Sequence, residues 1–228
     1  MPAIISKSDF DFLKDLSKNN DREWFLKNKN RYEQAHENII AFADVLFEEM
    51  QRHDNIETKS GKASLFRIYR DVRFSNDKSP YKNYWAGRFK RATKKLRGGY
   101  YFQIEPGKSL AAGGFFAPNP ADTLRIRTDM NLNFKEWKKI LSNKKLKETF
   151  GVMQGEKITT APKGFSKDDP AIELIRYKQF YFEHHFTDKE VLDKNFVKQL
   201  NETFKTLRPY FDYMSEVLTT DLNGISLM

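Results

Sequence analysis

The stretch Arg67-Ile-Tyr-Arg-Asp71-Val-Arg73-Phe74-Ser-Asn-Asp77-Lys78-Ser-Pro-Tyr81 packs three arginines, a lysine, two aspartates and two tyrosines among apolar residues. Desolvating a lone ion costs several kcal/mol, so charges in such a setting are either paired with one another or line a polar site. Leu65 to Phe74 is rich in β-branched and aromatic residues, which favours an extended strand. A strand would put Phe66, Ile68, Arg70, Val72 and Phe74 on one face and Arg67, Tyr69, Asp71 and Arg73 on the other. A helix would instead group Arg67, Arg70 and Asp71. The strand reading, with Ser75-Asn76-Asp77 and Ser79-Pro80 as a following turn, sets the class: an α+β protein with an antiparallel sheet.

Working outward, residues 61 to 100 hold twelve Lys/Arg and two Asp/Glu. The rest of the chain is close to neutral, although the whole carries +9. The positive excess is therefore regional, which points to a localised anionic partner rather than general polyanion binding. At 228 residues, with 20 Phe, 10 Tyr and 3 Trp, the chain has ample material for a core and reads as one domain over 1–228. It has no Cys, so disulfides, thiol chemistry and thiolate metal sites are excluded. No apolar run approaches membrane-spanning length, and the N-terminal residues lack the pattern of a signal peptide. A cytoplasmic protein without a membrane partner is expected.

The sheet is expected from the middle and late chain, packed with N-terminal and C-terminal helices. Ser8 is read as the cap of a first helix, and Asp21 as the cap of a long one ending near His53. That helix carries the stripe Trp24, Tyr32, Ala35, Ile39, Phe42, Leu46 and Met50, with Asn28 as a polar interruption. Residues 54–63 read as loop and 84–89 as a short strand. Residues 100–104 and 109–116 form a hairpin around Pro106-Gly107, with Gly113-Gly114 marking a close backbone approach. Further helices start at Asn119-Pro120, Asn133 and Asp168-Asp169-Pro170. Residues 179–186 alternate as a strand, Thr187 to Glu190 has capping-box spacing, and Pro209 divides the last helical stripe. The tail from Thr219 reads as frayed.

Two readings of the charged stretch compete. In the first, Arg67, Arg70 and Arg73 grip a phosphorylated or otherwise anionic small molecule, and Lys78 and Tyr81 add a point charge and a hydroxyl. Asp71 and Asp77 are then the candidates for orienting groups or acting as base. In the second, the two aspartates pair with the arginines and merely lock the chain. Four cations against two acids leave two positive charges over in either case. A separate basic run, Arg88, Lys90, Arg91, Lys94, Lys95 and Arg97, reads as exposed and offers a non-catalytic nucleic-acid interface. An acidic protein partner is a third possibility, which nothing in the sequence singles out. No nucleotide-binding loop, dinucleotide fingerprint or nucleophile elbow is present, so neither a reaction nor a cofactor is indicated. His184 and His185 alternate across a strand and cannot readily share a metal, while a carboxylate-only Mg²⁺ site stays open.

The stretch also resembles a bacterial conserved hypothetical family, domain-of-unknown-function family 2461. Its Arg-x-x-Arg-Asp-x-Arg-Phe signature, followed by Asp/Asn-Lys and Tyr, corresponds to Arg67, Arg70, Asp71, Arg73, Phe74, Asp77, Lys78 and Tyr81. Asn20-Asp-Arg-Glu-Trp24-Phe25, Gln103-Ile-Glu-Pro-Gly107, Pro162-Lys-Gly-Phe165 and Leu207-Arg-Pro-Tyr210 resemble the family's other landmarks. The resemblance covers nearly the whole chain and implies no activity.

Overall fold

The computed structural model describes residues 4–92, 94–221 and 224–227. The elements are α1 (Lys7–Lys18), α2 (Arg22–Lys27), α3 (Lys29–Gln51), α4 (Gly61–Ser64), β1 (Trp85–Lys90), β2 (Gly99–Ile104) and β3 (Ser109–Phe115). There follow α5 (Pro120–Leu132), α6 (Phe134–Leu141), α7 (Lys144–Phe150), α8 (Ile172–Ile175), β4 (Phe180–Phe186), α9 (Asp188–Val191), α10 (Phe196–Thr206) and α11 (Arg208–Thr219). The strands form one antiparallel sheet in the order β1-β2-β3-β4. The protein is α+β, as the sequence predicts.

By internal packing the chain falls into two compact units. The first holds residues up to 89, with 101–111 and 185–202; the second holds 90–100, 112–184 and 203 onward. In the first unit the stripe of α3 supplies the core, with Ile39, Phe42, Leu46 and Met50 fully buried. Phe42 stacks on Phe196 at 5.7 Å and meets the edge of Phe102 at 6.1 Å. α4 lies backbone to backbone against α3: a Cβ at Gly61 would come within 2.1 Å of the Ala43 carbonyl carbon. In the second unit Tyr100 sits between Phe204 at 5.1 Å and Phe211 at 4.9 Å. Asp129 is buried there and accepts from Trp137 Nε1 and the Tyr213 hydroxyl, each at 2.7 Å. A buried carboxylate is tolerable when its lone pairs are filled in this way.

Several boundaries differ from the sequence reading, each for a local reason. Ser6 rather than Ser8 caps α1, because Ser6 and Asp9 exchange hydrogen bonds in a capping box. The long first-half helix is two, broken at Asn28, whose side chain donates to the Trp24 carbonyl at 2.9 Å and so closes α2. The loop over 54–63 ends in the short helix α4, capped by Ser60. The helix expected from Asp168 shrinks to α8, since the Asp169 carboxylate takes the Ala171 N–H at 2.7 Å in a turn before it. Beyond Thr219 the tail is not simply frayed: Thr220 bridges Ser226, and Arg125 Nη2 holds the Thr220 carbonyl at 2.7 Å. Residues 222, 223 and 228 of that tail lie outside the described residues.

Other expectations are met. Thr187 and Glu190 form the capping box, and Pro209 opens α11 in its first turn. Gly114 has φ of 147°, and a Cβ there would meet the Phe180 carbonyl at 2.4 Å. The close approach marked by Gly113-Gly114 is therefore to a neighbouring strand at Gly114 and to the Leu207 side chain at Gly113.

Candidate functional site

Residues 65–70 run extended against 80–87. Tyr69 bridges Tyr81 and Leu65 bridges Gly87, both antiparallel. Phe66 N donates to the Ala86 carbonyl at 2.9 Å, Arg70 N to Pro80 at 2.9 Å, and Lys82 N to Ile68 at 2.8 Å. The expected strand to Phe74 stops at Arg70, and residues 71–79 form the turn. Side-chain bonds compete with the ladder there. The Asp71 carboxylate takes the Arg73 N–H at 3.3 Å, and Asp77 takes Ser79 N at 2.9 Å and Ser79 Oγ at 2.6 Å. Arg67, Asp71 and Arg73 therefore do not share a strand face.

The carboxylates are both committed to arginines. Arg73 holds Asp71 through two parallel bonds, Nε to Oδ1 at 3.0 Å and Nη2 to Oδ2 at 2.7 Å. Arg70 pairs with Asp77. Hydrogen bonds from Arg73 hold the Asp71 carboxyl below its usual range, and those from Ser79 and then Arg70 hold Asp77 far below it. Both carboxylates are thus engaged by hydrogen bonds to Arg73, Ser79 and Arg70. Tyr81 is also differently used. Its ring is buried and stacked on Phe25 at 4.0 Å, while Asn20 binds its carbonyl at 2.9 Å and its N–H at 3.1 Å. Tyr81 thus anchors the hairpin to the start of α2, and offers a ligand little surface.

Three cations remain. Among the described residues, Arg67, Lys78 and Lys82 have no carboxylate within ion-pair distance. Lys78 Nζ donates to the Val72 carbonyl at 3.0 Å, tying the turn. Lys82 Nζ is held by the carbonyls of Arg67 at 2.6 Å and Tyr69 at 2.9 Å. Burial, and then the positive charges of Arg67 and Arg70, lower the Lys82 pKa. Behind the hairpin lies an aromatic wall: Tyr32 stacks on His36 at 5.4 Å and on Trp85 at 5.6 Å. His36 Nδ1 and Trp85 Nε1 are buried there without a hydrogen-bond partner. Burial first, then Lys62, lowers the His36 pKa. Sequence reasoning missed Lys82, Tyr32, His36 and Trp85. Only the regional charge excess signalled Lys82, and the wall needs α3 and β1 brought together.

The basic run from Arg88 to Arg97 is not uniformly exposed. Arg91 is 0% exposed; it pairs with Asp212 at 2.5 Å, donates to Ser215 Oγ at 3.2 Å, and lies over the Phe211 ring. Arg97 pairs with Asp122 and is largely covered. Both are structural clamps, because their acids arrive from α5 and α11. Arg88, Lys90, Lys94 and Lys95 are exposed, and Thr93 lies outside the described residues. Of the adjacent histidines, His184 meets the Thr149 carbonyl at 2.7 Å, and His185 is exposed. Among the described residues no group of three His, Asp or Glu is placed to hold a metal ion. None of their helices is long and apolar enough to cross a membrane.

An α+β chain whose charged hairpin is braced at Tyr81 defines a structural class before it defines an activity. The chain belongs to the family described as "Conserved hypothetical protein (DUF2461)", whose model matches residues 8–213. Among curated proteins and among solved structures nothing matches it.

Proposed function

We propose that the 65–82 hairpin binds a phosphorylated or other small anionic molecule, gripped by Arg67 and Lys82 with Lys78 at the turn. The observation that carries this is the charge balance of the hairpin. Asp71 and Asp77 are spent on Arg73 and Arg70, while Arg67 and Lys82 have no carboxylate partner among the described residues and the Arg67 charge lowers the Lys82 pKa. Neighbouring like charges favour an anion, and Lys82 is already partly desolvated and fixed in place by two carbonyls. Arg70 and Arg73 orient the turn and lend field rather than direct grip. Asp71 and Asp77 hold those arginines, so the reading is one of binding; a reaction would need a base from the bound molecule or from His36, which burial keeps neutral near pH 7.

Titration of the wild type with inorganic pyrophosphate and adenosine monophosphate, by calorimetry and melting, tests this. Saturation at a hundred times the dissociation constant stabilises the fold by about 2.7 kcal/mol. Arg67→Ala with Lys82→Ala is expected to weaken binding by about tenfold or more while far-ultraviolet circular dichroism stays unchanged. Binding that survives the double substitution removes the proposal. A response to oligonucleotides alone, collapsing with salt, would favour the nucleic-acid reading. The exposed aromatics Phe66 and Tyr69 flanking Arg67, and Phe74 under Arg73, give that reading its support here.

A further inference from the structure

The second unit contains a cleft of about 570 Å³, lined by α6, α7, α8 and the segment between α7 and β4. That volume lies within the range of small-molecule sites, about 300–1,000 Å³. Its walls are apolar: Phe134, Leu141, Val152, Met153, Leu174 and Phe182. Val152, 68% exposed, is one of these lining residues. Charge at the rim is one-sided. Lys138, Lys147 and Lys157 line the cleft, and Glu173 is its one acidic lining residue. Glu173 is engaged twice, by Lys157 Nζ at 3.0 Å and Arg176 Nη1 at 3.2 Å. Lys157 also lies over the Tyr177 ring at 4.5 Å, which fixes it against the wall. Among the described residues Lys138 and Lys147 have no carboxylate partner.

We infer that this cleft binds a small amphiphilic anion: a hydrocarbon or aromatic body seated on the apolar wall, with a carboxylate at Lys138 and Lys147. Both halves of the ligand follow from the lining. An apolar body buries the Val152 and Leu174 surfaces, and a terminal anion meets two lysines that the protein leaves without a counter-charge. A cationic amphiphile with the same chain would gain the first contact and lose the second. The site uses none of the residues of the 65–82 hairpin, so it stands or falls separately from the anion site proposed there.

The test compares decanoate with decyltrimethylammonium, each below its micelle concentration, by calorimetry on the full chain. Decanoate is expected to bind saturably with a one-to-one ratio, and at least about tenfold more tightly than the cation. Lys138→Gln with Lys147→Gln should weaken decanoate by about tenfold and leave the cation unchanged. Val152→Asp, at an exposed position that leaves folding intact, should weaken decanoate as well, by repelling its carboxylate and wetting the wall. Arg67→Ala with Lys82→Ala should leave decanoate binding as in the wild type. No saturable binding, equal binding of the two amphiphiles, or indifference to the lysine pair would overturn the inference. So would binding of a protein or peptide at the same surface with decanoate unable to compete.

Discussion

Two basic segments lie within thirty-one residues of each other, 67–82 and 88–97, and the fold treats them in opposite ways. In the first, the acids come from within the segment: Asp71 and Asp77 sit two and seven residues from the arginines they hold, and both pairs stay at the surface. In the second, the acids come from far along the chain: Asp212 is 121 residues from Arg91 and Asp122 is 25 from Arg97. Local pairing fixes a turn and leaves surplus cations in the open. Distant pairing draws an arginine inward and turns it into a clamp. A count of charges in a window cannot separate the two outcomes, because the deciding acid need not lie in the window.

The largest effect expected from breaking this contrast is at Arg91. Arg91→Met fills much of the volume but takes one donor each from Asp212, which keeps Arg208 at 3.4 Å, and from Ser215, which keeps the Arg97 N–H at 2.9 Å. Loss of one partner from a fully buried pair costs 3–5 kcal/mol; Asp212 is half exposed and regains water, so about 2–3 kcal/mol is expected. Urea denaturation measures it, and pyrophosphate binding by the folded variant should match the wild type. The second effect concerns Asp71. Asp71→Asn releases the Arg73 guanidinium, which is 76% exposed, so the melting temperature should hardly move. Pyrophosphate affinity should rise instead, as a fourth cation becomes available; a fall would mean that Arg73 must be held in place to serve binding.

The smallest effect is a pH slope from His36. Burial, then Lys62, keeps its folded pKa below the ordinary 6.5, with Glu37 opposing weakly. The unfolded chain therefore takes up the proton first as pH falls. Stability should be flat above about pH 6.5 and decline as pH drops through the window down to the folded value. His36→Gln should flatten that decline, read as the change in urea midpoint between pH 7 and pH 5. An unchanged slope would place the titrating group elsewhere.

Much of the fold was legible, because periodicity and caps are local signals. The hairpin around Pro106-Gly107, the Asn119-Pro120 start, the Thr187 capping box and the division at Pro209 all depend on residues within a few positions of one another. Where the reading slipped, a side chain had two local options and took the other: Ser6 over Ser8, or Asp71 and Asp77 bonding the turn rather than leaving a strand to continue. The candidate site was legible in its charge and not in its geometry. The excess of two cations over acids is present in the sequence, but which cations stay unpaired is set by bonds to backbone carbonyls. Lys82, held by two such carbonyls, carries no motif that marks it. Tyr81 stood in the signature and looked like a ligand hydroxyl; only its stacking on Phe25 shows it as an anchor.

The pair of hydrogen bonds between Asn20 and Tyr81 has a consequence for how this surface meets other chains. Pairing with Tyr69 leaves the N–H and C=O of Tyr81 pointing away from the hairpin, as at the open side of any terminal strand. An exposed pair of this kind is a template on which a foreign strand can add. The amide of Asn20 presents one acceptor and one donor in the spacing of a peptide group, and occupies both. One side chain thereby imitates a neighbouring strand at the point where the hairpin is otherwise open, so Tyr81 has no free backbone pair to offer a foreign strand.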